Sequence, residues 1–110
     1  MNELLRDYVI DTQHPDVSGI EHLQMLRNRS RLAEIEIALT PEERQRLANA
    51  DQTLVAHARG FMAELSRFVD LPDERRRLGI TQEQWWWYLD VLAVLPAYVI
   101  RQPKAEPVLA

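Results

Sequence analysis

The run Trp85-Trp86-Trp87-Tyr88-Leu89-Asp90-Val91-Leu92-Ala93-Val94-Leu95 constrains the fold more than any other stretch of the chain. Five of the eight aromatic residues fall between Trp85 and Tyr98. Read as a helix advancing about 100° per residue, the run places Trp85, Tyr88, Leu89, Leu92 and Leu95 on one face. Trp87, Val91 and Val94 share a second, which Tyr98 joins if the helix continues past Pro96. Trp86, Asp90, Ala93 and Ala97 make a third, narrower face. A surface helix carries an apolar stripe a little over ~100° wide, and the two apolar faces here span roughly twice that.

Such a helix is buried on more than one side. Either the rest of the chain straddles it, or another chain covers it. A chain of 110 residues has few helices to spare, so the pattern points to a second chain. Trp86, Trp87, Val91, Val94 and Tyr98 are the candidate interface residues, because large apolar side chains remove the most area from water at such contacts. The expected partner is a second copy in a homodimer or other homo-oligomer, or a different protein. Asp90 is the one charge in the run. It either faces water on the narrow face or is a buried acid, which needs a partner such as an arginine of the 75–77 run.

The rest of the chain reads as helices punctuated by caps, with no alternating strand pattern. Residues 3–12 predict a short first helix, with Leu4, Leu5, Tyr8 and Val9 on one side. Pro15 to Gly19 is a loop. Ser18 and Glu21 predict a capping box opening a second helix to about Leu39. Its apolar stripe shifts near Asn28-Arg29-Ser30, a place for a kink or a break. Thr40-Pro41-Glu42-Glu43 is the clearest helix start, with Thr40 as N-cap, Pro41 in the first position and Glu43 closing the box. The third helix is expected to reach about Asp70, with Leu47, Leu54, Phe61 and Phe68 recurring every seven residues. Helices two and three then form a long antiparallel hairpin with a tight turn.

Gly60 interrupts the third helix. Leu71-Pro72 is expected to end it, and Asp73–Leu78 adds one or two turns stopped by Gly79. Thr81 and Gln84 predict a box opening the tryptophan helix, with Ile80 and Trp85 as its hydrophobic staple. The fold class is therefore all-α: a long hairpin, a shorter N-terminal helix and a Trp-rich C-terminal helix in a small bundle. Residues 1–101 form one domain, and 102–110, with two prolines and no periodicity, a flexible tail.

Composition narrows the chemistry. There is no cysteine, which removes disulfides, thiolate metal sites and a cysteine nucleophile. The three glycines form no phosphate-binding loop. The net charge of −4 and pI of about 5.3 disfavour nucleic-acid binding. A helix-turn-helix over 72–95 would offer tryptophan, tyrosine, leucine and valine to base edges that need polar partners. The acidic N-terminus is unlike a secretory signal, and no apolar run reaches the ~20 residues of a membrane span. A cytoplasmic location is expected.

His14, His22 and His57 show no ligand spacing, so no metal or other cofactor is expected. General acid–base work needs paired carboxylates in a cleft, which a sequence does not display, and no nucleophile motif is present; an enzyme is left unsupported and a non-enzymatic role is the expectation. Two arginine clusters remain. Arg27 and Arg31 share a face of helix two, with Arg29 between them, and Arg75, Arg76 and Arg77 are consecutive. These arginines are candidates for contacting an anion or a partner, although nearby acids also suit them to a solvated ion-paired surface. The leading reading is a small protein acting by self-association or protein–protein interaction. The alternative is a regulator that holds a small ligand or nucleotide in an aromatic and arginine pocket.

Overall fold

Thr40-Pro41-Glu42-Glu43 starts a helix as its chemistry dictates. Thr40 Oγ1 accepts from the Glu43 N–H and the Glu43 carboxylate accepts from the Thr40 N–H, so two donors that a helix start leaves open are satisfied reciprocally. A computed structural model of the chain describes residues 2–95 and holds six α-helices, with no strand among the described residues. They are α1 (Glu3–Asp11), α2 (Gly19–Ile35), α3 (Pro41–Ala56), α4 (Ala58–Leu65), α5 (Leu71–Leu78) and α6 (Leu89–Leu92). A 3₁₀ turn, Glu36–Ala38, follows α2, and another, Trp85–Tyr88, precedes α6. Tyr98, any continuation of the helix past Pro96 and the expected 102–110 tail lie outside the described residues. No helix among the described residues is long and apolar enough to cross a membrane.

The hairpin is present, with its second arm divided. Gly19 at the start of α2 lies against Glu64, the His22 ring meets Phe61 edge-on at 4.5 Å, and Arg29 reaches Asp51. Partners that descend as α2 ascends define an antiparallel pair. The arm breaks at His57, whose φ of −104° and ψ of 16° leave the helical region, and not at Gly60. Consequently α4 packs on α2, while α3 leans on α1. Gly19 is required by the close approach: a Cβ there would stand 2.6 Å from the Glu64 carbonyl oxygen.

Other expectations are corrected by the same tertiary forces. Helix α2 stays continuous through Asn28-Arg29-Ser30, because Asn28 and Arg29 turn inward and the stripe does not move. Ser18 caps it by accepting from the Ile20 N–H, without a reciprocal box to Glu21. Leu71-Pro72 opens a helix where it was expected to end one. Asp70 accepts from the Asp73 N–H, Pro72 occupies the first turn, and Gly79 closes α5 at φ 68°.

The core runs through all the helices, with Leu5, Leu26, Leu47, Leu54, Leu65 and Leu89 fully or nearly fully buried. Leu47, Leu54 and Phe61 of the seven-residue repeat are buried, but Phe68 is exposed, because α4 has already ended at Leu65.

Candidate functional site

Arg29 and Ser30, adjacent on α2, build the centre to which the tryptophan segment is attached. Arg29 is buried. Its Nε donates to Asp51 Oδ1 at 2.9 Å and its Nη2 to Oδ2 at 3.0 Å, a two-pronged pairing with α3. Tyr8 of α1 donates its hydroxyl to the same Asp51 Oδ1 at 2.7 Å. The guanidinium lies over the Trp86 ring, 4.3 Å from its centroid. Thus one carboxylate ties α1, α2 and α3 together, and its arginine forms the floor beneath Trp86.

Ser30 does the same for the indole edges. Its Oγ accepts from Trp86 Nε1 at 3.0 Å and from Trp87 Nε1 at 2.9 Å, and donates to Gln84 Oε1 at 3.0 Å. A serine hydroxyl has one proton and two lone pairs, so these three bonds use all of it. Gln84 is therefore turned to Ser30 and does not box with Thr81, so the expected cap is absent. The segment opens as the 3₁₀ turn Trp85–Tyr88 and adds only the single α-turn of α6.

A second arginine fixes the far side. Arg75 of α5 donates to Asp90 Oδ1 at 2.6 Å and Oδ2 at 3.2 Å, and to the Trp87 carbonyl at 2.9 Å. Its guanidinium stacks on Tyr88 at 4.2 Å. Asp90 is thus half-buried and paired within its own chain. Arg59 of α4 donates to the Ala93 carbonyl at 2.9 Å.

These contacts correct the interface expectation. Trp86 and Trp87, only 3% and 2% exposed, belong to the core of the single chain. The hairpin and α5 straddle the segment, so its own chain covers both tryptophans. Of the candidate interface residues, Val91 and Val94 remain outward, at 45% and 76% exposure, and Tyr98 lies outside the described residues. The arginine clusters also divide. Arg75 points inward, while Arg76 and Arg77 pair with Asp73 and Glu74 on the surface. Arg27 and Arg31 are exposed. Glu74 is held below the usual carboxylate range, first by its hydrogen bonds from Arg77 and, against the opposing pull of burial, by the charges of Arg77 and Arg27.

The electrostatics of the centre follow from its burial. Burial first, then the Asp51 charge, pushes the Tyr8 phenol well above its ordinary value of 10.0. Burial works against the Arg29 charge, but the bonds and charge of Asp51 outweigh it and hold the guanidinium protonated. Because the unfolded chain gives up the tyrosine proton first, the contribution of Tyr8 is complete below about pH 10 and is lost as pH rises toward the native value. In an alkaline titration, the phenolate absorbance absent from Tyr8→Phe should therefore appear together with the loss of helical circular dichroism. Ionisation of Tyr8 near its ordinary value in a still-folded protein would contradict this.

Sequence reading missed Arg29, Ser30, Asp51, Tyr8 and Gln84 as a constellation. It also missed His22, which is buried with Nε2 2.9 Å from the Pro15 carbonyl oxygen. Among the described residues, no group of three histidine, aspartate or glutamate side chains is placed to hold a metal ion. A groove of about 480 Å³ lies at the α4–α5 turn, lined by Met62, Ser66, Phe68, Val69, Asp70, Leu71 and Pro72. Two of its lining residues, Leu71 and Pro72, open the same helix α5 that carries Arg75. Comparison with protein-family models, curated proteins and solved structures gave no match.

Proposed function

We propose that the protein is a non-enzymatic helical domain that acts by association, with a second copy of itself as the simplest partner, through the outward side of α6 and the turn that follows it. The observation that carries this reading is the exposure of Val91 and Val94 on a segment whose other side is locked down. Leu89 and the two tryptophans fix it from within, and Arg75 and Arg59 hold its backbone carbonyls. Val91 lies in α6 and Val94 in the turn directly after it, where the Val94 N–H donates to the Val91 carbonyl at 3.2 Å, so the two present neighbouring apolar surface. Pre-ordering of this kind reduces what must be immobilised on binding.

The alternative, a small anionic ligand held by aromatic and arginine residues, is less well supported. Arginines and aromatics do converge, but Asp51 and Asp90 occupy the positions an anionic ligand would take.

Val91→Asp/Val94→Asp should lower the solution mass below that of the wild type while leaving the circular dichroism spectrum unchanged. Light scattering on a sizing column reads both species. A double variant that kept the wild-type mass would remove α6 as the interface.

A further inference from the structure

Helix α4 ends at Leu65, and residues 66–70 turn the chain into α5. Phe68 stands out of this turn at 58% exposure, with an edge of its ring over Gly19. Phe68 also forms part of the rim of the groove of about 480 Å³, whose walls include Met62, Val69, Leu71 and Pro72. A large exposed aromatic next to an apolar groove marks an interaction surface. A projection and a recess on one surface are also self-complementary, which is the condition for a two-fold contact between identical chains.

The charges agree. Arg67 and Asp70 flank Phe68 and Val69. A two-fold axis through the middle of the turn would set Arg67 of one copy against Asp70 of the other, twice. Among the described residues, the Arg67 side chain pairs only with Glu64, at 3.8 Å.

We propose that the 66–72 surface binds a second copy of this chain across a two-fold axis, with Phe68 of each copy in the groove of the other and Arg67 opposite Asp70. This takes association as the mode of action from the reading above, and adds a surface separate from Val91 and Val94.

The test is the solution mass of the full chain as wild type, Phe68→Ser, Arg67→Asp and Asp70→Arg, with circular dichroism to verify folding. The wild type should have at least twice the monomer mass, and each single variant a mass reduced by half or more. An equimolar mixture of Arg67→Asp with Asp70→Arg should regain the wild-type mass, because every like-charge contact becomes an opposite one. Phe68 is largely exposed, so its replacement leaves the core intact. Asp70 also caps α5, so if Asp70→Arg does not fold, Phe68→Ser and Arg67→Asp decide the matter.

If Phe68→Ser and Arg67→Asp keep the wild-type mass while Val91→Asp/Val94→Asp loses it, this surface is wrong and α6 stands. The reverse pattern supports this surface and removes α6. A monomeric wild type overturns both.

Discussion

Asp51→Ala should destabilise the protein by about 3–5 kcal/mol, the cost of stranding a buried charge. The substitution removes the carboxylate that pairs with Arg29 on two bonds and leaves the Tyr8 hydroxyl without its acceptor. Arg29 cannot shed its proton to adapt, and it has little access to water. A small domain is stable by only ~5–15 kcal/mol, so the variant should sit near the edge of folding. The urea midpoint followed by circular dichroism reads the loss. Asp73→Ala breaks an exposed pair within one helix, Arg76 with Asp73, and should move the same midpoint very little. Equal effects from the two variants would contradict the central role of Asp51.

Trp87→Ala should cost a similar amount, about 3–5 kcal/mol, as for other large aromatics removed from a core. Trp87 is nearly fully buried, its indole N–H donates to Ser30, and its carbonyl accepts from Arg75. Truncation opens a cavity and frees one lone pair of a hydroxyl that otherwise has none to spare. The same truncation at an intermolecular interface would instead leave the chain folded and change its mass. The urea midpoint and the solution mass together separate these outcomes. A stable, dissociated Trp87→Ala would return Trp87 to an interface.

The parts of this fold legible in the sequence are those governed by neighbours along the chain. Thr40, Pro41 and Glu43 lie within one turn, and their bonds form wherever the helix is placed. The Asp70 cap of α5 is equally local, but the seven-residue apolar repeat runs on to Phe68 and hides the end of α4 just before it. The tryptophan segment failed for the opposite reason. Thr81, Gln84 and Trp85 carry every local sign of a capped α-helix, but Ser30, 54 positions away from Gln84, takes the Gln84 side chain and both indole N–H groups. The break at His57 carries no glycine or proline. There the ring Nδ1 lies 3.3 Å from the Thr12 carbonyl oxygen, a partner 45 positions away.

The buried centre left a fainter trace. His22, Met25, Leu26, Arg29 and Leu32 follow one helical stripe at steps of three and four. Asp51 sits beside Ala50 between Leu47 and Leu54. A charge on each of two apolar stripes, of opposite sign, is the pattern of a buried pair between helices. Arg27 and Arg31 drew attention because they share a face, but that face is the one in water.

The most direct measurement is the mass of the wild-type chain by light scattering over a hundredfold dilution series. Association through apolar surface predicts a multimer at the upper concentrations that dissociates on dilution to 12.9 kDa, the transition shifting to higher concentration in Val91→Asp/Val94→Asp. A chain that remains a monomer throughout would contradict self-association as its mode of action.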